Sequence, residues 1–218
     1  MAALIAAAAD PACPAEIALV LSNRPDAAGL AVAKAAAIPT AMVDHRDFPR
    51  DRAAHEAAID AMLRDGGIEI VCLAGYMRLL TPLLVGRWAG RMLNIHPSLL
   101  PAFPGLNTHA RALAAGVKLH GCTVHLVTEA MDDGPILAQA AIPVLAGDTE
   151  AALAARVLAQ EHRIYPVALA RLAAGRPGAE PAADAALINP LAADAAQESP
   201  LAADAALENP LPAGLSLQ

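Results

Sequence analysis

The sequence has no run approaching the ~20 consecutive strongly apolar residues that a bilayer span needs, although 56% of its residues are apolar. Alanine supplies much of that fraction, and alanine marks helix more than membrane. No basic residue precedes Arg24, so the opening MAALIAAAAD does not read as a secretory signal. No lysine or arginine stripe occurs and the net charge is −7. That balance argues against nucleic acid as the main ligand. A small anionic substrate needs only a local cluster of donors and stays open. Cysteine is sparse: Cys13, Cys72 and Cys122 are odd in number and widely spaced. They fit neither a disulfide framework nor a C-x-x-C metal site, and a reducing cytoplasm suits them.

What is present begins with length. A chain of 218 residues can bury one good core, so one domain is expected. Its first two-thirds alternates strand-like and helix-like segments, the pattern of an α/β fold with a mainly parallel sheet. IALVLS (17–22), PTAMVD (39–44), IEIVCLAG (68–75) and RMLNIH (91–96) read as strands. AAGLAVAKAAA (27–37) and residues 51–64 read as helices. Thr81-Pro82 starts a short helix, with threonine as N-cap and proline at the first helical position. A long helix follows over about 149–173, capped by Asp148 or Thr149. Residues 98–109 hold two prolines and a glycine and form a rigid loop. CTVHLVT and ILAQAAIPV bracket a turn at Asp132-Asp133-Gly134-Pro135. Beyond 175 the near-repeat AADAAL, broken by prolines, marks residues 176–218 as a low-complexity, mostly disordered tail without chemistry.

Four places can do chemistry. Alternation along a strand puts Asn94 and His96 on one face, at a strand's C-terminal end, where open α/β sheets bind ligands. An amide that donates to a carbonyl beside an imidazole that moves a proton suits acyl transfer. The same pair also reads as a polar strand tip. Asp132-Asp133 supplies a carboxylate turn; a carboxylate near an imidazole orients it and stabilises its charge. LAGYMRLL (73–80) leaves a strand through glycine and offers backbone groups, Arg78 and apolar side chains to a flat heteroaromatic ligand. Arg78 as a plain surface charge is the alternative. QEHRIYP (160–166) places Glu161 where it accepts from a substrate amine or lies on a solvated helix face.

AGYMRLLTP, LNIHPSLLPAFPGLNTH, GCTVHLVTEAMDDGPILAQ and QEHRIYP, in this order and spacing, resemble the successive signatures of the phosphoribosylglycinamide formyltransferases over residues 2–175. The resemblance implies a doubly wound α/β fold. It implies transfer of the formyl group of 10-formyltetrahydrofolate to the amine of glycinamide ribonucleotide, without a metal, in cytoplasmic purine synthesis. Asn94 is then an oxyanion donor, His96 the general acid or proton relay, and Asp132 the group that holds His96. The folate pocket maps to Met77, Arg78, Leu79 and Leu80, with Thr128, Glu129, Ala130, Met131 and Asp132 opposite. Arg52 is the ligand-side arginine, with Arg50 its rival. Leu158, Ala159, Gln160 and Glu161 face the nucleotide substrate. His109, His120, His125 and His162 are left as structural or loop residues, and His45 and His55 as exposed. The family also begins with an apolar strand and a glycine-rich phosphate loop; here MAALI corresponds to the helix that follows them. The expectation is a start codon assigned too late, and unpaired strand edges where that strand would lie. Two other activities compete: hydrolysis of the same folate to formate, and folate binding without turnover.

Overall fold

A computed structural model describes residues 1–175 and 186–187 of the chain. The strands are β1 (Val20–Ser22), β2 (Thr40–Met42), β3 (Val71–Leu73), β4 (Met92–His96), β5 (Leu119–Leu126), β6 (Ile136–Pro143) and β7 (Ala186–Leu187). The helices are α1 (Ala2–Ala8), α2 (Ala28–Ala35), α3 (Arg52–Asp65), α4 (Pro82–Arg87), α5 (Thr108–Ala115) and α6 (Glu150–Ala174). β1 and β2 pair in parallel, and a second sheet runs in the order β3-β4-β5-β6-β7. β3–β4 and β6–β7 are parallel, whereas β4–β5 and β5–β6 are antiparallel. The tail expectation for residues 176–218 lies outside the described residues except at Ala186–Leu187.

β1 and β3 are shorter than the hydrophobic runs that announce them. Among the described residues each pairs on one side, β1 with β2 and β3 with β4. Between their other edges runs a cavity of about 700 Å³, lined by Leu19, Leu21, Ile70 and Cys72 among others. A strand lengthens where a partner supplies ladder bonds, and these edges have none. No described helix is long and apolar enough to cross a membrane.

Two apolar layers sandwich the sheet. On one face α1 and α6 cover Leu93, Cys122, Val124 and Ala138. α6 buries Leu153, Val157, Ile164, Ala168, Leu169 and Leu172 at three-to-four-residue spacing. Each large side chain so buried contributes roughly 1.5–3 kcal/mol. Thr149 caps α6, its Oγ1 accepting from Ala152 N–H at 3.2 Å, while Asp148 instead binds Leu145 N–H at 2.8 Å. On the other face Ile59 and Leu63 of α3 meet Leu84, Trp88 and Met92. Asp60, 1% exposed, locks α3 to α4 by accepting from Arg87 and from Trp88 Nε1 at 3.1 Å.

Three local readings are corrected. α5 went unread because its eight residues follow a loop with no side-chain cap bond. His55, expected exposed, is 0% exposed: the spacing of α3 turns it inward, where Nε2 donates to Val43 O at 3.0 Å. His45, also expected exposed, is half-buried and donates from Nδ1 to Asn23 O at 2.9 Å.

Candidate active site

The site forms where β4 ends. Register sets it: Asn94 lies opposite His125 of β5, and His96 opposite Thr123. Asn94 Nδ2 donates to His125 Nε2 at 3.3 Å, and His125 Nδ1 donates to Leu126 O at 2.9 Å. With its proton committed to Nδ1, His125 presents a lone pair that fixes which way the Asn94 amide turns. Burial is the main cause holding His125 below the ordinary imidazole value, which preserves that acceptor. Sequence reading missed His125 because alternation along a single strand says nothing about its neighbour's register.

Asp132 enters from the β5–β6 turn. Its Oδ2 lies 3.4 Å from His96 Nδ1 and its Oδ1 lies 3.8 Å from His125 Nε2. The residue sits at φ 55°, in the left-handed region that asparagine and aspartate tolerate best. Gly134 makes this turn possible. A Cβ there would stand 1.7 Å from Leu126 O, so no other residue lets the turn close onto β5.

The loop over residues 98–107 closes the other side. Gly105 N–H donates to Asp132 Oδ2 at 2.8 Å, and His96 Nε2 donates to Phe103 O at 3.0 Å. Both ring nitrogens of His96 therefore face acceptors. The loop contains a cis Leu100–Pro101 bond and is seated on the sheet by Thr123, 0% exposed. Thr123 Oγ1 donates to Ser98 O at 2.7 Å and accepts from Leu100 N–H and Gln139 Nε2, both at 3.0 Å. Thr123→Val removes the partner of Ser98 O and Leu100 N–H, while Gln139 Nε2 keeps its bond to Leu100 O, and is expected to lower stability by about 1–3 kcal/mol in urea unfolding. An unchanged midpoint would remove Thr123 as the seat of the loop.

The remaining expected residues distribute around this cluster. Leu73 pairs with Asn94, so residues 74–80 leave the sheet beside the amide. Met77 and Leu79 are 77% and 62% exposed, Arg78 is half-buried and Leu80 packs on the Val43–Ile59 core. Tyr76 Oη and Arg78 Nε are buried, with the Tyr76 hydroxyl beside the Arg78 side chain. Thr128, Glu129, Ala130 and Met131 are exposed, and Thr128 Oγ1 donates to Ala130 O at 3.2 Å. Large apolar side chains left in water are surface of the kind a ligand covers. Arg52 opens α3 and its charge reaches Tyr76; Arg50 is exposed at φ 68°.

Leu158, Ala159, Gln160 and Glu161 lie on α6, and no hydrogen bond or ion pair among the described residues joins them to Asn94, His96 or Asp132. Leu158 and Ala159 are exposed, and Gln160 Oε1 accepts from Arg163 at 3.2 Å. Burial raises the Glu161 carboxyl, against the pull of the Met1 ammonium. Burial also pushes Cys122 up to about 12 and Cys72 up to about 11, so neither supplies a thiolate. The 700 Å³ cavity adjoins this site through Tyr76 and Leu80 but does not reach His96.

Burial likewise pushes His120 down to about 4, with the His109 and His96 charges adding to it, and lowers His109. His109 Nδ1 and His120 Nε2 are 3.1 Å apart. A histidine depressed on folding takes up its proton more readily when unfolded. Stability from His109, His120 and His125 is thus complete above about 6.5, and falls as pH drops from there toward 4. Thermal melts at stepped pH check this, and His120→Gln should flatten the slope.

Comparison with known proteins bears on this geometry. The formyl transferase family model matches residues 1–169. Phosphoribosylglycinamide formyltransferase of Escherichia coli is 46% identical over 157 residues, covering 72% of this chain and 74% of that protein. Trifunctional purine biosynthetic protein adenosine-3 of Homo sapiens is 48% identical over 173 residues, 79% of this chain; the chain spans 17% of that longer protein. The crystal structure of phosphoribosylglycinamide formyltransferase from Brucella melitensis superimposes with a TM-score of 0.76 at 60% identity, covering 80% of this chain and 90% of that one. The chain belongs to the formyl transferase family, in the branch of the phosphoribosylglycinamide formyltransferases.

Proposed function

We propose that this chain transfers the formyl group of 10-formyltetrahydrofolate to the amine of glycinamide ribonucleotide, in the reducing cytoplasm. The observation that carries the reading is the convergence of one amide, one imidazole and one carboxylate at the end of β4, next to the segment that carries the exposed Met77 and Leu79. The amine attacks the formyl carbon, and negative charge gathers on the formyl oxygen. Asn94, its amide turned by His125, donates to that oxygen through its remaining N–H. His96 passes a proton between the attacking nitrogen, which must lose one, and the folate nitrogen, which must gain one as its bond to carbon breaks. Asp132 orients His96. Met77, Arg78, Leu79 and Leu80 hold the folate from one side, and Thr128, Glu129, Ala130 and Met131 from the other, with Arg52 at the rim. Leu158, Ala159, Gln160 and Glu161 face the nucleotide. The scheme uses no metal.

The test is an assay containing both substrates, following formylated nucleotide and free formate separately. Formylated product at a rate well above formate release supports transfer. Formate released at the same rate without the amine makes the chain a hydrolase. Folate binding without turnover, together with failure to complement a purine auxotroph, makes it a binding protein only.

A further inference from the structure

Residues 74–80 make no backbone–backbone hydrogen bond among the described residues. Their backbone is tethered at its two ends, by side chains from distant helices. At the start, the Tyr165 hydroxyl of α6 is shared between Leu73 O at 2.8 Å and Leu93 O at 3.1 Å. At the far end stands Glu56 of α3. Both its carboxylate oxygens accept from Thr81 N–H at 3.0 Å, and Oε2 also accepts from the Thr81 hydroxyl.

Glu56 is an expensive residue to keep there. It is 1% exposed, and no ion pair neutralises it among the described residues. A buried carboxylate in that position survives only if its hydrogen bonds are made. Here one residue supplies all of them. Thr81 holds the N-cap position of α4, yet its side chain makes no cap bond. The hydroxyl that would stabilise a helix end is spent on Glu56 instead. Between the two tethers, Met77 and Leu79 face solvent, and the buried Tyr76 hydroxyl lies beside the Arg78 side chain. Apart from Leu80, which packs on the core, the segment's large apolar side chains are held out in solvent.

We propose that Glu56 is a positioning residue for the formyl donor: through Thr81 it fixes residues 74–80 beside the end of β4, so that the wall of the cleft meets the donor preformed. This rests on the proposed function, which makes that cleft the folate site. A loosened segment must be ordered at each binding event, which weakens affinity for the donor and leaves the chemistry at His96 intact.

Glu56→Ala is expected to raise both KM and Kd for 10-formyltetrahydrofolate on the order of 10-fold, the effect of ordering one or two residues. The KM for the amine and kcat should stay unchanged. Trypsin should cut faster after Arg78, as read by mass spectrometry, and added donor should slow that cut. Glu56→Gln, which keeps an acceptor for Thr81 N–H, should recover most of the affinity. The double variant Glu56→Ala/Thr81→Val should be no worse than Glu56→Ala alone, because the two act through each other. If Glu56→Ala does not fold, Thr81→Val should show the same split in smaller form. Equal losses in kcat and both KM values, or an unaltered cut after Arg78, would overturn the proposal. A wild-type chain that binds no folate would sink the function itself and this role with it. Normal folate binding by wild type and variants alike would sink the tether alone.

Discussion

His96→Ala should lower kcat by ~10²–10⁴, the usual contribution of a positioned acid or base, while affinity for 10-formyltetrahydrofolate stays largely intact. The argument is geometric. His96 is 6% exposed, fixed by Phe103 O on one nitrogen and facing Asp132 on the other. It lies at the end of β4, whereas the apolar walls expected to hold the folate belong to residues 74–80 and 128–131. Removing the imidazole takes away the proton relay and leaves those walls in place. One structural side effect is built in, because Phe103 O loses its donor. His96→Gln separates the two roles: it offers Phe103 a new N–H but cannot relay a proton at neutral pH. Stopped-flow or steady-state kinetics with parallel folate titration reads both quantities. If folate binding collapses along with kcat in both variants, the histidine supports the fold and the chemistry lies elsewhere.

Asp132→Asn carries the second large effect, a kcat loss of ~10²–10⁴. Removing the carboxylate behind a catalytic imidazole costs the upper end of that range when the two are directly bonded. The 3.4 Å separation from His96 Nδ1 places this site lower. Asparagine is the informative replacement. It tolerates the φ of 55° and its oxygen can still accept from Gly105 N–H, so the loss reports on charge and orientation alone. Asp132→Ala should do more harm, adding backbone strain on the order of 1–3 kcal/mol and freeing the Gly105 amide. A fully active Asp132→Asn enzyme with normal melting would remove Asp132 from the mechanism.

The elements of this chain were legible where composition and periodicity speak locally. Strand runs at 17–22 and 68–75, the 51–64 helix, and the long helix capped at Thr149 are present in the fold. The strand runs are only partly realised, because a ladder needs a neighbour and, among the described residues, one edge of β1 and of β3 has none. Asn94 and His96 could be placed on one face by alternation. That His125 would turn the Asn94 amide could not, since it depends on how β5 registers against β4.

Local sequence therefore determined which residues carry donors, acceptors and an imidazole, and which segments coil or extend, because those properties belong to single side chains and short spacings. The tertiary structure alone decided that Asp132 reaches His96 across 35 intervening positions of chain. It also decided that Glu56 of one helix holds the far end of a loop 25 residues away. Such pairings are set by strand register and by the closing of a turn over Gly134, and no pattern within one segment encodes either.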